Sequence, residues 1–153
     1  MLETGSKAPA FSGVTQTGET ISLSDFKGKK VLLYFYPKDN TPGCTKQACS
    51  LRDHKSDLDG QNTVVIGVSA DSVKRHQNFV DKYDLNFHLI ADEEKTILNA
   101  YEAWGEKKNY GRTYMGIIRM SYLIDEEGTI IHSWPKVKTA VHGKEVLEIL
   151  SNL

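Results

Sequence analysis

The sequence predicts an α/β sandwich, with a central mixed β-sheet flanked by helices and an N-terminal hairpin at one edge. Three observations carry that prediction. Two runs, Lys30 to Tyr36 and Thr63 to Ala70, are apolar on both faces, as strands covered on both sides must be. The segments that follow each of them have helical composition or partial helical periodicity, which gives βαβ connectivity. Short strand-like runs joined by tight turns stand near both ends of the chain and supply antiparallel strands.

In chain order, residues 11 to 23 form two alternating runs about a Thr17-Gly18 turn, the pattern of an edge hairpin. Ser24 to Gly28 reads as a single turn. The strand from Lys30 to Tyr36 is stopped by Pro37, and Thr41-Pro42-Gly43 then opens a helix from about Gly43 to Leu58. After the second central strand, Asp71-Ser72 offers an N-cap for a helix ending near Tyr83. Phe87 to Ile90 is a third strand, and Asp92 caps a helix through Tyr101. Trp104 to Met115, rich in Gly and Lys, is expected to be the longest irregular loop. Ile117 to Ile124 and Thr129 to Trp134 pair across Asp125-Glu126-Glu127-Gly128, and Val141 to Leu150 closes as an amphipathic helix. No linker, repeat or low-complexity segment divides the chain, and 153 residues with 39% hydrophobic content suffice for one domain over residues 1–153.

Charge removes several function classes. Lys plus Arg number 19 and Asp plus Glu 20, so no net field draws in nucleic acid or an anionic membrane, and neither is expected as a partner. The N-terminal MLETGSKAPAF lacks the basic-then-apolar order of a signal peptide, and no apolar run approaches the ~20 residues of a spanning helix. A cytoplasmic location is the expectation. In that reducing compartment the two cysteines point to catalysis, redox sensing or metal binding rather than to a permanent structural bridge.

The local arrangement around Cys44 favours the redox reading. Thr41-Pro42-Gly43 leaves Cys44 in the first turn of its helix, where unpaired N–H groups and the positive dipole end favour an anion such as a thiolate. Cys44 is therefore a candidate redox nucleophile. The spacing Cys44-x4-Cys49 is neither the C-x-x-C of dithiol oxidoreductases nor the C-x2-C pairs of zinc sites. His54, His76, His88, His132 and His142 are scattered without ligand spacing, so no metal site is expected. Trp104, Tyr110, Tyr114 and Trp134 read as core aromatics rather than pocket walls.

The segment from Pro37 to Thr45, PKDNTPGCT, matches the P-x3-T-x2-C motif, and in this the chain resembles the peroxiredoxins, which are thiol peroxidases. With Cys49, the following Ser50-Leu51-Arg52-Asp53 and the later Gly67-Val68-Ser69-Ala70-Asp71-Ser72, it is similar over nearly its whole length to the bacterioferritin comigratory protein, or PrxQ, subfamily. The block Tyr110 to Arg119, YGRTYMGIIR, resembles the segment that delivers the catalytic arginine of that family, which implies this role for Arg119. Ser121 stands where threonine is usual and keeps the hydroxyl. The resemblance implies a thioredoxin-like fold, hydrogen peroxide and alkyl hydroperoxides as substrates, and no metal or organic cofactor. It also implies recycling by thioredoxin or a similar dithiol. An intramolecular cysteine pair makes a monomer the expectation.

Each implied role has its chemistry. A peroxide is reduced when a thiolate attacks one oxygen and the other leaves with the negative charge, so donors must follow charge from sulfur to oxygen. Arg119, with fixed donors and no deprotonated form at working pH, can serve both ends, although an ordinary ion pair would use the same residue. Thr41 can orient the peroxide through its hydroxyl or act as a helix cap. Pro37 and Pro42 lack N–H donors and fix φ, which shapes the pocket. Cys49 reads either as a small packing residue or, as the resemblance implies, as the thiol that resolves a Cys44 sulfenic acid to a disulfide. Two other classes remain open at this point: a copper chaperone-like metal module using both cysteines and a histidine, and a general thiol-disulfide exchange protein.

Overall fold

The computed structural model describes all 153 residues, Met1 to Leu153. An interior strand of its sheet is β3 (Lys30–Phe35), in which every side chain after Lys30 is buried. Successive side chains leave a strand on opposite faces, so Val31, Leu33 and Phe35 enter one core while Leu32 and Tyr34, with Tyr36 just beyond, enter another. A strand buried on both faces has no polar alternation, which is why its sequence is a continuous apolar run.

Around it the seven-stranded sheet has the order β2-β1-β5-β4-β3-β8-β9. Strand β4 (Thr63–Ser69) runs parallel to β3, and β5 (His88–Ala91) runs parallel to β4. The edges are antiparallel: β1 (Ser12–Thr15) and β2 (Thr20–Ser22) on one side, β8 (Met120–Ile124) and β9 (Ile130–Trp134) on the other. Helices α1 (Pro42–Asp53), α2 (Lys55–Gly60), α3 (Val73–Tyr83) and α5 (His142–Ser151) bury Leu51, Leu58, Phe79 and Val146 in the core that holds Tyr34. Helix α4 (Thr96–Ala100) buries Ile97 and Leu98 in the opposite core, with Phe11 and Tyr101. This is the expected mixed sheet flanked by helices, hairpin included.

Five expectations need correction. The segment from 104 to 115 is no loop but a hairpin of β6 (Trp104–Asn109) and β7 (Arg112–Ile117). Its two turn residues, Tyr110 and Gly111, have φ of 51° and 76°, the double positive φ of a tight hairpin turn, and only the glycine takes that φ without steric cost. Most of the ribbon is exposed on both faces, so no hydrophobic alternation marked it. Tyr110 is 97% exposed and Tyr114 46%, whereas Trp134 is buried, so the expected core role fails for the two tyrosines.

The expected helix from 43 to 58 is two helices that meet at His54, whose backbone leaves helical geometry with ψ of 10°. There the His54 Nδ1 lies 2.8 Å from the Ser50 carbonyl, while Gly143 N–H donates to Ser50 Oγ at 2.9 Å. The expected strand from Ile117 to Ile124 is also divided. Strand β7 ends at Ile117 in one sheet and β8 begins at Met120 in the other, leaving Ile118 and Arg119 between them. Asp92 holds its helix from further out than expected: its Oδ2 accepts from Leu98 N–H at 2.8 Å, while Lys95, with φ of 62°, is the residue before α4.

Candidate active site

The break between β7 and β8 frees Arg119 from any ladder. Ile118 N–H donates to the Ala103 carbonyl at 2.7 Å, and from that anchored junction the guanidinium reaches the start of α1. Its Nη2 donates to Cys44 Sγ at 3.2 Å and its Nη1 to Gln47 Oε1 at 2.5 Å. Cys44 is 2% exposed and belongs to the Tyr34 core, so its sulfur meets a fixed cationic donor at the margin of an apolar interior. Charge-assisted bonds of this kind contribute roughly 1.5–3 kcal/mol.

Helix geometry supplies the other donors. Thr41 is the residue before α1, extended at φ −96° and ψ 157°, and Pro42 follows at the first helical position, where a missing N–H costs nothing. Cys44 thus lies in the first turn, at the positive end of the helix dipole. An ideal Cβ on Gly43 would sit 3.3 Å from Arg119 Nη2, so the absence of a side chain there lets the guanidinium approach.

The structure distributes the expected site residues unequally. Cys44 and Arg119 are hydrogen-bonded, and Thr41 stands one turn ahead of Cys44 on the same segment. The Thr41 hydroxyl does not cap the helix but donates backwards to the Lys38 carbonyl at 2.8 Å. Pro37 ends the β3 run and begins the loop to α1. Cys49 is half-buried, and both cysteines are free thiols. At ~100° per residue it projects roughly 140° around α1 from Cys44.

Two neighbours were not singled out from the sequence. Gln47, fully buried, is the acceptor that orients Arg119, and its position three residues after Cys44 on the same helix face was a usable signal. Lys107 Nζ donates to the Ile117 carbonyl at 2.8 Å, tying β6 to the Arg119 junction. Burial and then the Arg119 cation pull the Lys107 ammonium below its ordinary range, and the Cys44 sulfur opposes them. Nothing in its local sequence marked it.

The two buried histidines, His76 and His142, are each hydrogen-bonded through both ring nitrogens. His142, pushed below its ordinary value chiefly by burial, accepts from Ser121 at 2.9 Å through Nε2 and donates to Glu145 at 3.0 Å through Nδ1. Arg119 lowers it further, while Glu145 acts in the opposite direction. Ser121, the variant hydroxyl noted in the sequence, therefore links β8 to the start of α5.

Comparison with known proteins agrees with this geometry. Residues 4–133 match the AhpC/TSA family. The chain is 52% identical to a bcp peroxiredoxin of Coxiella burnetii, over 95% of this chain and 97% of that protein. It is 46% identical to the peroxiredoxin Bcp of Bacillus subtilis, over 99% and 97%. Among solved structures, a Xylella fastidiosa PrxQ superposes with a TM-score of 0.93 at 31% identity, covering 99% of this chain and 97% of that one. The bacterioferritin comigratory protein of Xanthomonas campestris, described for its alkyl peroxide reduction activity, superposes with a TM-score of 0.88 at 34% identity, covering 93% and 90%. A buried thiol at a helix start, held by an arginine from the junction between β7 and β8, is thus found in a chain that belongs to the AhpC/TSA family and, within it, to the Bcp/PrxQ peroxiredoxins.

Proposed function

We propose that this peroxiredoxin reduces hydrogen peroxide and alkyl hydroperoxides through Cys44 as the attacking thiolate and Cys49 as the resolving thiol. The observation that carries the assignment is the 3.2 Å bond from Arg119 to Cys44 Sγ in the first turn of α1. The thiolate attacks one peroxide oxygen, the O–O bond breaks, and the departing oxygen leaves as water or alcohol once it has taken a proton. Arg119 holds the sulfur anion before attack and donates to oxygen as charge moves there. The Thr41 hydrogen is committed to the Lys38 carbonyl, which leaves the hydroxyl lone pairs to accept from the peroxide O–H. Pro37 and Pro42 shape the loop on which Thr41 stands.

The product is a Cys44 sulfenic acid. Cys49 then attacks that sulfur, water leaves, and an intramolecular disulfide forms, to be reduced by thioredoxin or a similar dithiol. On an intact α1 the two Cα atoms lie roughly 8.7 Å apart, from five residues of ~1.5 Å rise on a ~2.3 Å radius. Disulfides span about 4.4–6.8 Å, so the segment from about Gly43 through Cys49 must unwind before the bond closes. Unwinding also competes with oxidation of Cys44 to sulfinic acid.

We further take residues 1–153 to act as one monomeric unit in the cytoplasm. Both cores share a single sheet, one chain holds both cysteines, and no helix is long and apolar enough to cross a membrane. The test is one equivalent of hydrogen peroxide added to the reduced protein. Both thiols should disappear at least a thousandfold faster than free cysteine, with a mass loss of two hydrogens. Oxidation at the rate of free cysteine would return the chain to the class of general exchange proteins, and tight copper binding that protects both thiols would favour the metal module.

A further inference from the structure

The loop between β3 and α1 is bolted to the sheet by buried groups that the reaction itself does not use. Tyr36 Oη donates to Asp39 Oδ1 at 2.5 Å, and His76 Nδ1 meets Asp39 Oδ2 at 2.6 Å, with His76 fully buried and Asp39 3% exposed. On its other side, His76 Nε2 lies 2.9 Å from the Ile90 carbonyl in β5. A carbonyl only accepts, so Nε2 carries a hydrogen, and Nδ1 stands at hydrogen-bonding distance from the carboxylate. Asp71, with Asp39 and His76, could suggest a metal site, since one ligand atom from each lies within 4.8 Å of the others. The 2.6 Å separation argues for a direct hydrogen bond: two ligands at ~2.0–2.2 Å from one tetrahedral ion stand roughly 3.3 Å apart or more.

The decisive contact is at one peptide unit. The N–H of Asp39 donates to Asp71 Oδ2 at 2.9 Å, while the carbonyl of the same Lys38-Asp39 peptide accepts from Thr41 Oγ1 at 2.8 Å. A peptide unit is planar, so gripping the N–H fixes the direction of the C=O, and with it the Thr41 hydroxyl. Asp71 is held in turn by Ser69 Oγ at 2.7 Å and by Arg75 Nε at 3.1 Å.

We propose that Asp39, through its buried bonds to His76 and Tyr36 and its backbone bond to Asp71, is the positioning residue for Thr41. This rests on the peroxidase reading above and adds to it. The Tyr36–Asp39–His76 cluster joins the loop to β5 and α3, elements outside the unwinding segment. Thr41 therefore keeps its place when α1 melts, and the pocket reforms on a fixed half as soon as the disulfide is reduced. None of these groups touches the peroxide.

The test compares Asp39→Ala with Asp39→Asn in the full chain. Two rates are measured on the reduced protein: oxidation by hydrogen peroxide, which uses Thr41, and alkylation of Cys44 by iodoacetamide, which does not. Asp39→Ala should lower the peroxide rate ten- to a hundredfold and leave alkylation within about twofold. Asp39→Asn can accept from Tyr36 and donate to His76 Nδ1, so it should stay within about threefold in both assays. An unchanged peroxide rate in Asp39→Ala, or a parallel fall in alkylation, overturns the proposal. Residue-resolved amide exchange of the wild-type protein decides the matter even if Asp39→Ala does not fold. The Asp39 amide should stay protected in the disulfide form while residues 44 to 49 lose protection, and its loss alongside them overturns the proposal. A wild-type thiol no faster than free cysteine would instead overturn the peroxidase reading itself.

Discussion

Arg119 and Cys44 are 75 positions apart in sequence and 3.2 Å apart in space, joined by a single guanidinium N–H to sulfur bond. The contact depends on the two-residue gap between β7 and β8, which takes the chain from one sheet to the other. Had Ile117 to Ile124 run as one continuous strand, the backbone of Arg119 would have been held in its ladder.

Replacing Arg119 by Ala should slow the peroxide step roughly 10- to 150-fold, the equivalent of the 1.5–3 kcal/mol that a hydrogen bond to a charged group contributes. Arg119→Lys should recover part of this, because an ammonium can reach sulfur but lacks the planar fork that also engages Gln47. Stopped-flow measurement of Trp or thiol signals decides between this and an ordinary ion pair, for which both variants would match wild type.

Gln47→Leu keeps the volume and the helix but removes the acceptor for Nη1. We expect a loss of about tenfold in the peroxide rate, in line with the energy of one bond to a charged donor. A wild-type rate would mean that Arg119 is oriented by the pocket walls alone.

The two cysteines should separate cleanly. Cys44→Ser should abolish turnover and leave the circular dichroism spectrum unchanged. Cys49→Ser should react once and accumulate a sulfenic acid that dimedone labels. Absence of the labelled species would remove Cys49 from the resolving role.

Amide exchange on the reduced and disulfide forms should show protection of residues 44 to 50 only in the reduced form. Equal protection in both would contradict unwinding, because an intact helix holds these two positions too far apart for a disulfide. Residues 51 to 53 at the end of α1, which follow the Gly143 bond to Ser50, should retain more protection than the first turn.

Stability should fall as the medium is acidified below about pH 6.5. Burial keeps His142 below its ordinary value, so between the folded and unfolded values the unfolded chain binds more protons and folding weakens. His132, lowered by burial as well, acts in the same direction. The loss should begin near the unfolded value, grow as pH falls, and level off below the folded one. Thermal melts of wild type and His142→Asn from pH 7.5 to 5 give the check, with a flatter profile expected for the variant.

The sequence by itself determined the two central strands, the N-terminal hairpin, the helices after β3 and β4, and the place of Cys44 at a helix start. Each leaves a local record: burial on both faces of β3 and β4 writes a continuous apolar run, and Thr41-Pro42-Gly43 writes a helix entry. The motif from Pro37 to Thr45 and the later Tyr110 to Arg119 block carried the resemblance that named Arg119 and Cys49. Tertiary structure alone decided how these pieces meet. The β6–β7 ribbon is solvated on both faces for most of its length, so no apolar period revealed it. The bend at His54 arises where Ser50 meets both that ring and the start of α5, and Gly143 contributes from far along the chain. The bonds of Arg119 to Cys44 and of His76 to Asp39 join residues 75 and 37 positions apart. Local patterning records which face of an element is buried, but it carries no sign of which distant polar group will be waiting there.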